Sequence, residues 1–315
     1  MYNTCYTMNQ NNSTFYSSHL ETNEIIKQYN SIQYEADLVR KNDQNIIKGL
    51  FRNFYQKTLS VGIGFNRAFG SILSGDYFEL FPLPDSNYLF VFADISGHGL
   101  PAYTNLIRLR NAVILSIKEA EAEFKKDRTF SIEKVIKNAG TKFTDLMEFS
   151  NSDDFASAVF TYITNDNDKF TLRFFNRGTF FPIIVRKFRD DVVDIYNLNY
   201  EEKGWIPNKG FLLSGELRKL DSEGYNTYPD CEFVIYEGDM VFFFSDGLLE
   251  GRNKNGSSEI FGMKRLKNIL VENCTLMPQV IINIIYDEIF DFIGDFKNQE
   301  DDMTGIIINF PRVRS

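Results

Sequence analysis

The spacing of apolar residues changes several times along the chain. Between about Asn23 and Gln56, Ile25, Tyr29, Ile32, Ala36, Val39, Ile46 and Leu50 recur in steps of three and four, with Asp43 in the same register. That spacing lines one face of a helix and suits a partner helix. Two readings stay open for residues 23–56: an amphipathic helix packed on its own domain, or a coiled coil through which two copies pair. Residues 1–22 are rich in Asn, Ser, Thr and Tyr. They offer little to bury and predict a flexible tail.

From Lys57 the pattern becomes strand-like. Lys57 to Ala68, Tyr77 to Pro82 and Tyr88 to Asp94 read as strands. Leu100 to Lys126 has helical periodicity, with Pro101 suited to its first turn. Ser131 to Phe149 predicts a second helix capped by Ser131. Phe155 to Ile163 and Lys169 to Phe175 read as a hairpin around Asn165–Asp168, and Phe181 to Lys187 with Val192 to Asn197 as another. Residues 199–231 carry scattered Gly, Lys and Pro and read as loops. Then come strand Glu232–Tyr236, turn, strand Met240–Ser245, helices Ile260–Glu272 and Pro278–Ile293, and a closing strand Thr304–Phe310. Hairpins dominate, and strands do not alternate regularly with helices. The fold class expected is α+β, with antiparallel sheets layered against helices and one domain over 57–315.

Composition narrows the function. The chain has 315 residues and a formal charge of −9, so it lacks the basic face that nucleic acid requires. Phe 31 and Tyr 16 favour a sheet-rich core. Cys5, Cys231 and Cys274 are far apart, which suggests neither a zinc knuckle nor a disulfide framework. The N-terminus lacks the apolar run of a secretory signal, and Val280–Ile285 is far short of the roughly 20 residues of a membrane span. These features predict a cytoplasmic protein with no membrane or nucleic-acid partner. Gly62-Ile63-Gly64 starts like a dinucleotide fingerprint, but Arg67 stands where its third Gly belongs.

Four acidic segments share one setting, an Asp at a strand edge beside Gly or another Asp. They are Ser74-Gly75-Asp76, Ala93-Asp94-Ile95-Ser96-Gly97-His98-Gly99, Ser245-Asp246-Gly247 and Glu300-Asp301-Asp302-Met303-Thr304. Each Asp taken singly could merely cap a turn. Asp94 and Asp246, however, end strongly apolar runs, where an isolated ionised carboxylate is expensive. Several converging there repel one another unless cations sit between them. Oxygen donors without a Cys or His cluster point to a hard ion, Mg²⁺ or Mn²⁺.

Together these segments resemble the bacterial PPM-type (protein phosphatase 2C-like) serine phosphatases of the SpoIIE/RsbU branch. The branch reads Gly-Gly-Asp-Tyr-Tyr-Asp where this chain has Ser74 to Glu79. Its Gly-Asp-Val-Ser-Gly-His-Gly-Leu-Pro-Ala matches Ala93 to Ala102. Its later Gly-Asp and Thr-Asp-Gly-Val-x-Glu match Gly238-Asp239 and Ser245 to Glu250, and its Asp-Asp-x-Thr matches Asp301 to Thr304. Residues 57–311 follow the branch in order and spacing. Two departures stand out: Ser74 replaces a Gly, and Asn-Ala-Gly-His becomes Asn176-Arg177-Gly178-Thr179, without the His.

The resemblance implies a PPM-type α/β/β/α sandwich and hydrolysis of phosphoserine or phosphothreonine on a protein. It implies two Mn²⁺ or Mg²⁺ ions, with Asp94 bridging them, the Ile95 backbone carbonyl as another ligand, Asp76 serving one ion, and Asp246 and Asp301 the other. Asp302 is expected to support these ligands from behind, and His98 to shape its loop. The implied substrate is a phosphorylated STAS-type anti-sigma-factor antagonist, and residues 23–56 stand where relatives carry a regulatory helix. The alternative is a PPM-fold scaffold without turnover, which the altered loops keep open.

Overall fold

The computed structural model describes residues 60–71, 73–149, 154–166, 169–187, 193–197, 200–201, 204–205, 213–214, 231–254 and 258–310. The expected tail 1–22 and helix 23–56 lie outside these residues, as does most of the predicted 199–231 loop region. In chain order the elements are β1 (Ser60–Asn66), β2 (Asp76–Pro82), β3 (Tyr88–Ile95), α1 (Gly99–Asp127), α2 (Ile132–Phe149), β4 (Phe155–Asp166) and β5 (Lys169–Arg177). Next come β6 (Ile183–Lys187), β7 (Val193–Asn197), β8 (Tyr200–Glu201), β9 (Gly204–Trp205) and β10 (Leu213–Ser214). The last are β11 (Cys231–Ile235), β12 (Met240–Phe244), α3 (Gly247–Glu250), α4 (Gly262–Glu272), α5 (Pro278–Ile293) and β13 (Met303–Asn309).

Two antiparallel sheets carry the fold. One runs β1-β13-β12-β6-β7, the other β11-β5-β4-β3-β2 with β10 paired to β4. Both expected hairpins form, β4 with β5 and β6 with β7. The strands are apolar on both faces because each sheet is covered twice. From β3, Phe90 and Phe92 point between the sheets, where they meet Phe243 of β12. Leu89, Val91, Ala93 and Ile95 point the other way, against Leu109, Val113, Val135 and Phe143 of α1 and α2. In β12, Val241 and Phe243 face the inter-sheet core, while Met240, Phe242 and Phe244 face Leu266, Ile281, Ile285 and Ile289 of α4 and α5. The period-2 alternation of a strand thus serves two cores at once. The layers are helix, sheet, sheet, helix, as expected.

Local chemistry sets the ends. Ser131 Oγ accepts from Lys134 N–H at 3.2 Å, the predicted cap of α2. Gly62 and Gly64 have a packing role. A Cβ on Gly62 would lie 2.3 Å from the Pro278 carbonyl, and one on Gly64 would lie 2.2 Å from the Tyr286 ring. This lets edge strand β1 press against α5. The Gln279 side chain then caps that edge, accepting from Ile63 N–H at 3.1 Å and donating to its carbonyl at 3.2 Å.

Gly238-Asp239, one of the quoted motifs, is also structural. Asp239 is buried and accepts Arg186 Nη2 at 2.7 Å, Arg186 Nε and the Tyr236 amide. The Arg186 guanidinium stacks over the Tyr236 ring, 4.5 Å from its centre. This pair locks the β11–β12 turn to β6. Asp239→Ala leaves that guanidinium without its counter-charge, so unfolding free energy should drop by about 3–5 kcal/mol in urea titration. A variant as stable as the parent would contradict this account.

Candidate metal centre

The site forms where one end of each sheet meets the other. Asp76 begins β2 and Asp94 lies near the end of β3, and the two are direct partners across the ladder. Asp246 follows β12, and Asp301 and Asp302 precede β13, its neighbour in the other sheet. Ser245 fastens these two segments. Its amide donates to the Thr304 carbonyl at 3.0 Å, and its hydroxyl accepts from Thr304 N–H at 2.9 Å. Thr304 reaches across the sheets and donates its hydroxyl to Asp76 Oδ2 at 2.6 Å.

Asp94 lies within electrostatic reach of the other three predicted aspartates. Asp94 feels Asp246, Asp301 and Asp302, while Asp76 feels Asp94 and Asp302. Asp76 is buried, and the other three are half-buried. Burial first, then repulsion from Asp246 and Asp301, pushes the Asp94 carboxyl up to about 8. Burial holds Asp301 up to about 6, against the opposing pull of the Asp302 amide and His98. Burial raises Asp76 well above the ordinary range, with Asp94 adding to it, and burial and Glu250 raise Asp246.

Each of these carboxyls thus holds its proton more tightly than an exposed aspartate does. Among the described residues, no three of these groups already surround one point as an ion's ligands. Their chemistry nevertheless fits a hard divalent cation: all donors are oxygens, each carboxylate is pressed by its neighbours, and neutralisation relieves them all. The backbone is also shaped for it. A Cβ on Gly75 would lie 2.7 Å from the Ile95 carbonyl oxygen and 3.1 Å from that of Gly97. Glycine at 75 keeps the Ile95 oxygen open.

Asp302 does a different job from Asp301. It is buried, and its two oxygens accept the amides of Ala68 and Gly75, both at 2.8 Å. Its own amide donates to Asp301 Oδ1 at 2.7 Å, and its carbonyl accepts Ser245 Oγ at 3.2 Å. That carbonyl also explains Gly247, whose Cβ would lie 2.1 Å from it. One residue, through its side chain and its backbone, thus ties the loop before Asp76 to the segments that carry Asp246 and Asp301.

Gln299, which sequence reasoning missed, adds to this tie. Its amide donates to the carbonyls of Arg67 at 2.7 Å and Asp301 at 3.1 Å. Nothing in its local sequence marks it out. Glu79, the acid closing the first motif, points away from the centre and takes Arg110 at 2.6 and 2.9 Å and Tyr77 Oη at 2.7 Å, joining β2 to α1. His98 is exposed, with Nδ1 2.9 Å from Ser71 Oγ, which suits the loop-shaping role expected of it. Thr179, in place of the branch's His, is buried in a turn that Asn176 closes through the Thr179 carbonyl at 2.8 Å.

Residues 84–311 match the family model described as Stage II sporulation protein E (SpoIIE). The chain belongs to the SpoIIE family. It is a PPM-type protein-serine/threonine phosphatase of the SpoIIE/RsbU branch. The fold agrees. The SiaA-PP2C domain of Pseudomonas aeruginosa superimposes with a TM-score of 0.62 at 15% identity, covering 91% of this chain and 98% of that one. The RsbU and RsbW domains of Rv1364c from Mycobacterium tuberculosis give 0.54 at 16%, covering 82% and 62%. The PP2C phosphatase domain with a regulatory fragment of SpoIIE from Bacillus subtilis gives 0.52 at 15%, covering 80% and 63%. At these identities the likeness establishes the fold. No curated protein matches the sequence significantly. Among the described residues, no helix is long and apolar enough to cross a membrane.

Two outcomes test the centre. Asp94 and Asp301 hold protons in the folded chain that an exposed aspartate, at 3.8, releases. The folded state binds more protons than the unfolded one, so stability must fall as pH rises from about 4 towards 8. In chelator, the melting temperature should be lower at pH 8 than at pH 5, and Mg²⁺ or Mn²⁺ should restore it. Equal metal-free melting temperatures at both pH values would contradict the assignment. Asp302→Asn keeps one acceptor but turns an NH₂ towards the second amide. It should cost about 2–4 kcal/mol by urea denaturation, and no loss would show the clasp to be idle.

Proposed function

We propose that this member of the family is a metal-dependent phosphatase acting on phosphoserine or phosphothreonine of a protein in a bacterial signalling pathway. The observation that supports this is that Asp94 lies within electrostatic reach of Asp76, Asp246 and Asp301, which come from separate segments, and that all four have raised proton affinity. Asp76, Asp94, the Ile95 carbonyl, Asp246 and Asp301 are the oxygen donors that would hold Mn²⁺ or Mg²⁺ here. When bound, such ions supply an acidified water and neutralise phosphate charge.

The chain's own residues supply the placement. Asp94 and Asp76 are fixed relative to each other by the β2–β3 ladder. Asp246 and Asp301 are fixed relative to each other by the Ser245–Thr304 bonds. Thr304 and Asp302 then hold the two halves together. No side-chain nucleophile is required, because the attacking group is water.

The substrate is a phosphorylated STAS-type anti-sigma-factor antagonist. Support comes from the branch and from a fold neighbour in which an RsbU domain is joined to an RsbW domain. The reaction takes place in the cytoplasm, and residues 23–56 pair two copies or receive the regulating partner. Phosphate release from a phosphoserine protein should require Mn²⁺ or Mg²⁺ and stop in chelator. Asp94→Asn should lower the rate roughly 10³-fold while the melting curve stays cooperative. A variant turning over at the parent rate would remove Asp94 from the centre.

A further inference from the structure

Beside the carboxylate rim, two phenyl rings stand in solvent. Phe69 is 50% exposed and Phe296 45% exposed. They touch edge to face, with centroids 5.9 Å apart and planes at 77°. Behind Phe296 lies the half-buried Phe290 ring, at 6.1 Å. Single exposed apolar residues are ordinary, but two exposed rings in edge-to-face contact form a surface.

This surface is tied to the centre. The Phe69 amide donates to the Gln299 carbonyl at 3.0 Å, and the neighbouring Ala68 amide to Asp302 Oδ1 at 2.8 Å. The Gln299 side chain holds the carbonyls on either side, those of Arg67 and Asp301. Phe296 opens the short 3-10 turn Phe296–Asn298, which leads directly into Gln299. The rings and the aspartates are therefore parts of one hydrogen-bonded unit, ordered before any substrate arrives. That lowers the entropy lost on docking.

Asp295 Oδ1 caps the Lys297 amide at 2.9 Å, and Glu300 lies 3.6 Å from Arg252. At Gly70, beside Phe69, an added Cβ would meet nothing within 4 Å, so the approach is open. Apolar area is what this face offers to a bound chain.

We propose that Phe69 and Phe296 form a shelf that receives an apolar side chain flanking the phosphoserine of the substrate protein. The proposal rests on the phosphatase reading, and it adds a determinant of substrate choice outside the metal centre. The occupant follows from continuity: a chain whose phosphate reaches the aspartate rim passes over the loop that Asp302 and Gln299 hold there.

The test uses two labelled peptides with a non-hydrolysable phosphonate in place of phosphoserine, one with Leu on both sides of it and one with Ser. With Mg²⁺ and the full chain, fluorescence anisotropy should show the Leu peptide binding about tenfold more tightly or better. The combined Phe69→Ser and Phe296→Ser variant should bring the ratio of affinities close to one, its melting temperature confirming that it folds. Equal affinities in the parent, or a preference that survives in the variant, would overturn the shelf. So would a dimer that becomes monomeric in the variant while the preference persists, since the rings would then face a second copy. The phosphoserine versions of both peptides keep the two readings separate. Preferential binding without phosphate release would sink the phosphatase reading alone, and release without preference the shelf alone.

Discussion

The constraint on which this structure turns is the mutual repulsion of carboxylates at a half-buried rim. Bringing Asp76, Asp94, Asp246 and Asp301 together opposes folding unless something positive is supplied. Without cations, burial and crowding raise the proton affinity of these groups. The chain accepts that conflict at one place and surrounds it with rigid structure. Local frustration at a functional site, offset elsewhere, is the expected pattern.

The rigidity comes from the two-sheet core. Strands β3 and β12 are apolar on both faces, and each anchors one half of the rim between an inter-sheet phenyl layer and a helix layer. Loss of packing on either side would displace an aspartate as surely as a change at the aspartate itself. Asp302 completes the arrangement, because a buried carboxyl group that accepts two backbone amides has both oxygens satisfied. The same clasp holds the loop on which Phe69 stands, so chemistry and recognition share one anchor.

Several motif residues are needed for reasons other than chemistry. Gly75 and Gly247 are glycines because a carbonyl oxygen lies where a Cβ would be, that of Ile95 in one case and of Asp302 in the other. Asp239 neutralises a guanidinium in a turn, and Glu79 pins a helix to a strand. Gly62 and Gly64 admit helix α5 close to an edge strand. A motif recognised by its pattern is thus partly a record of close backbone approach.

What the sequence determined by itself follows from local rules. Period-2 and period-3.6 spacing placed the strands and helices, and strongly apolar runs such as Leu89 to Ala93 led into single carboxylates. The aspartates ending those runs could be singled out because a carboxylate there is costly. Tertiary structure alone decided which carboxylates face one another. The pairing of Asp76 with Asp94 depends on strand register, and the separate duties of adjacent Asp301 and Asp302 depend on which amides lie within reach. Gln299 and the Phe69–Phe296 pair left no local trace, because they join residues more than two hundred positions apart. Spacing along a chain fixes the face a residue occupies, while its partner is fixed only when distant segments pack.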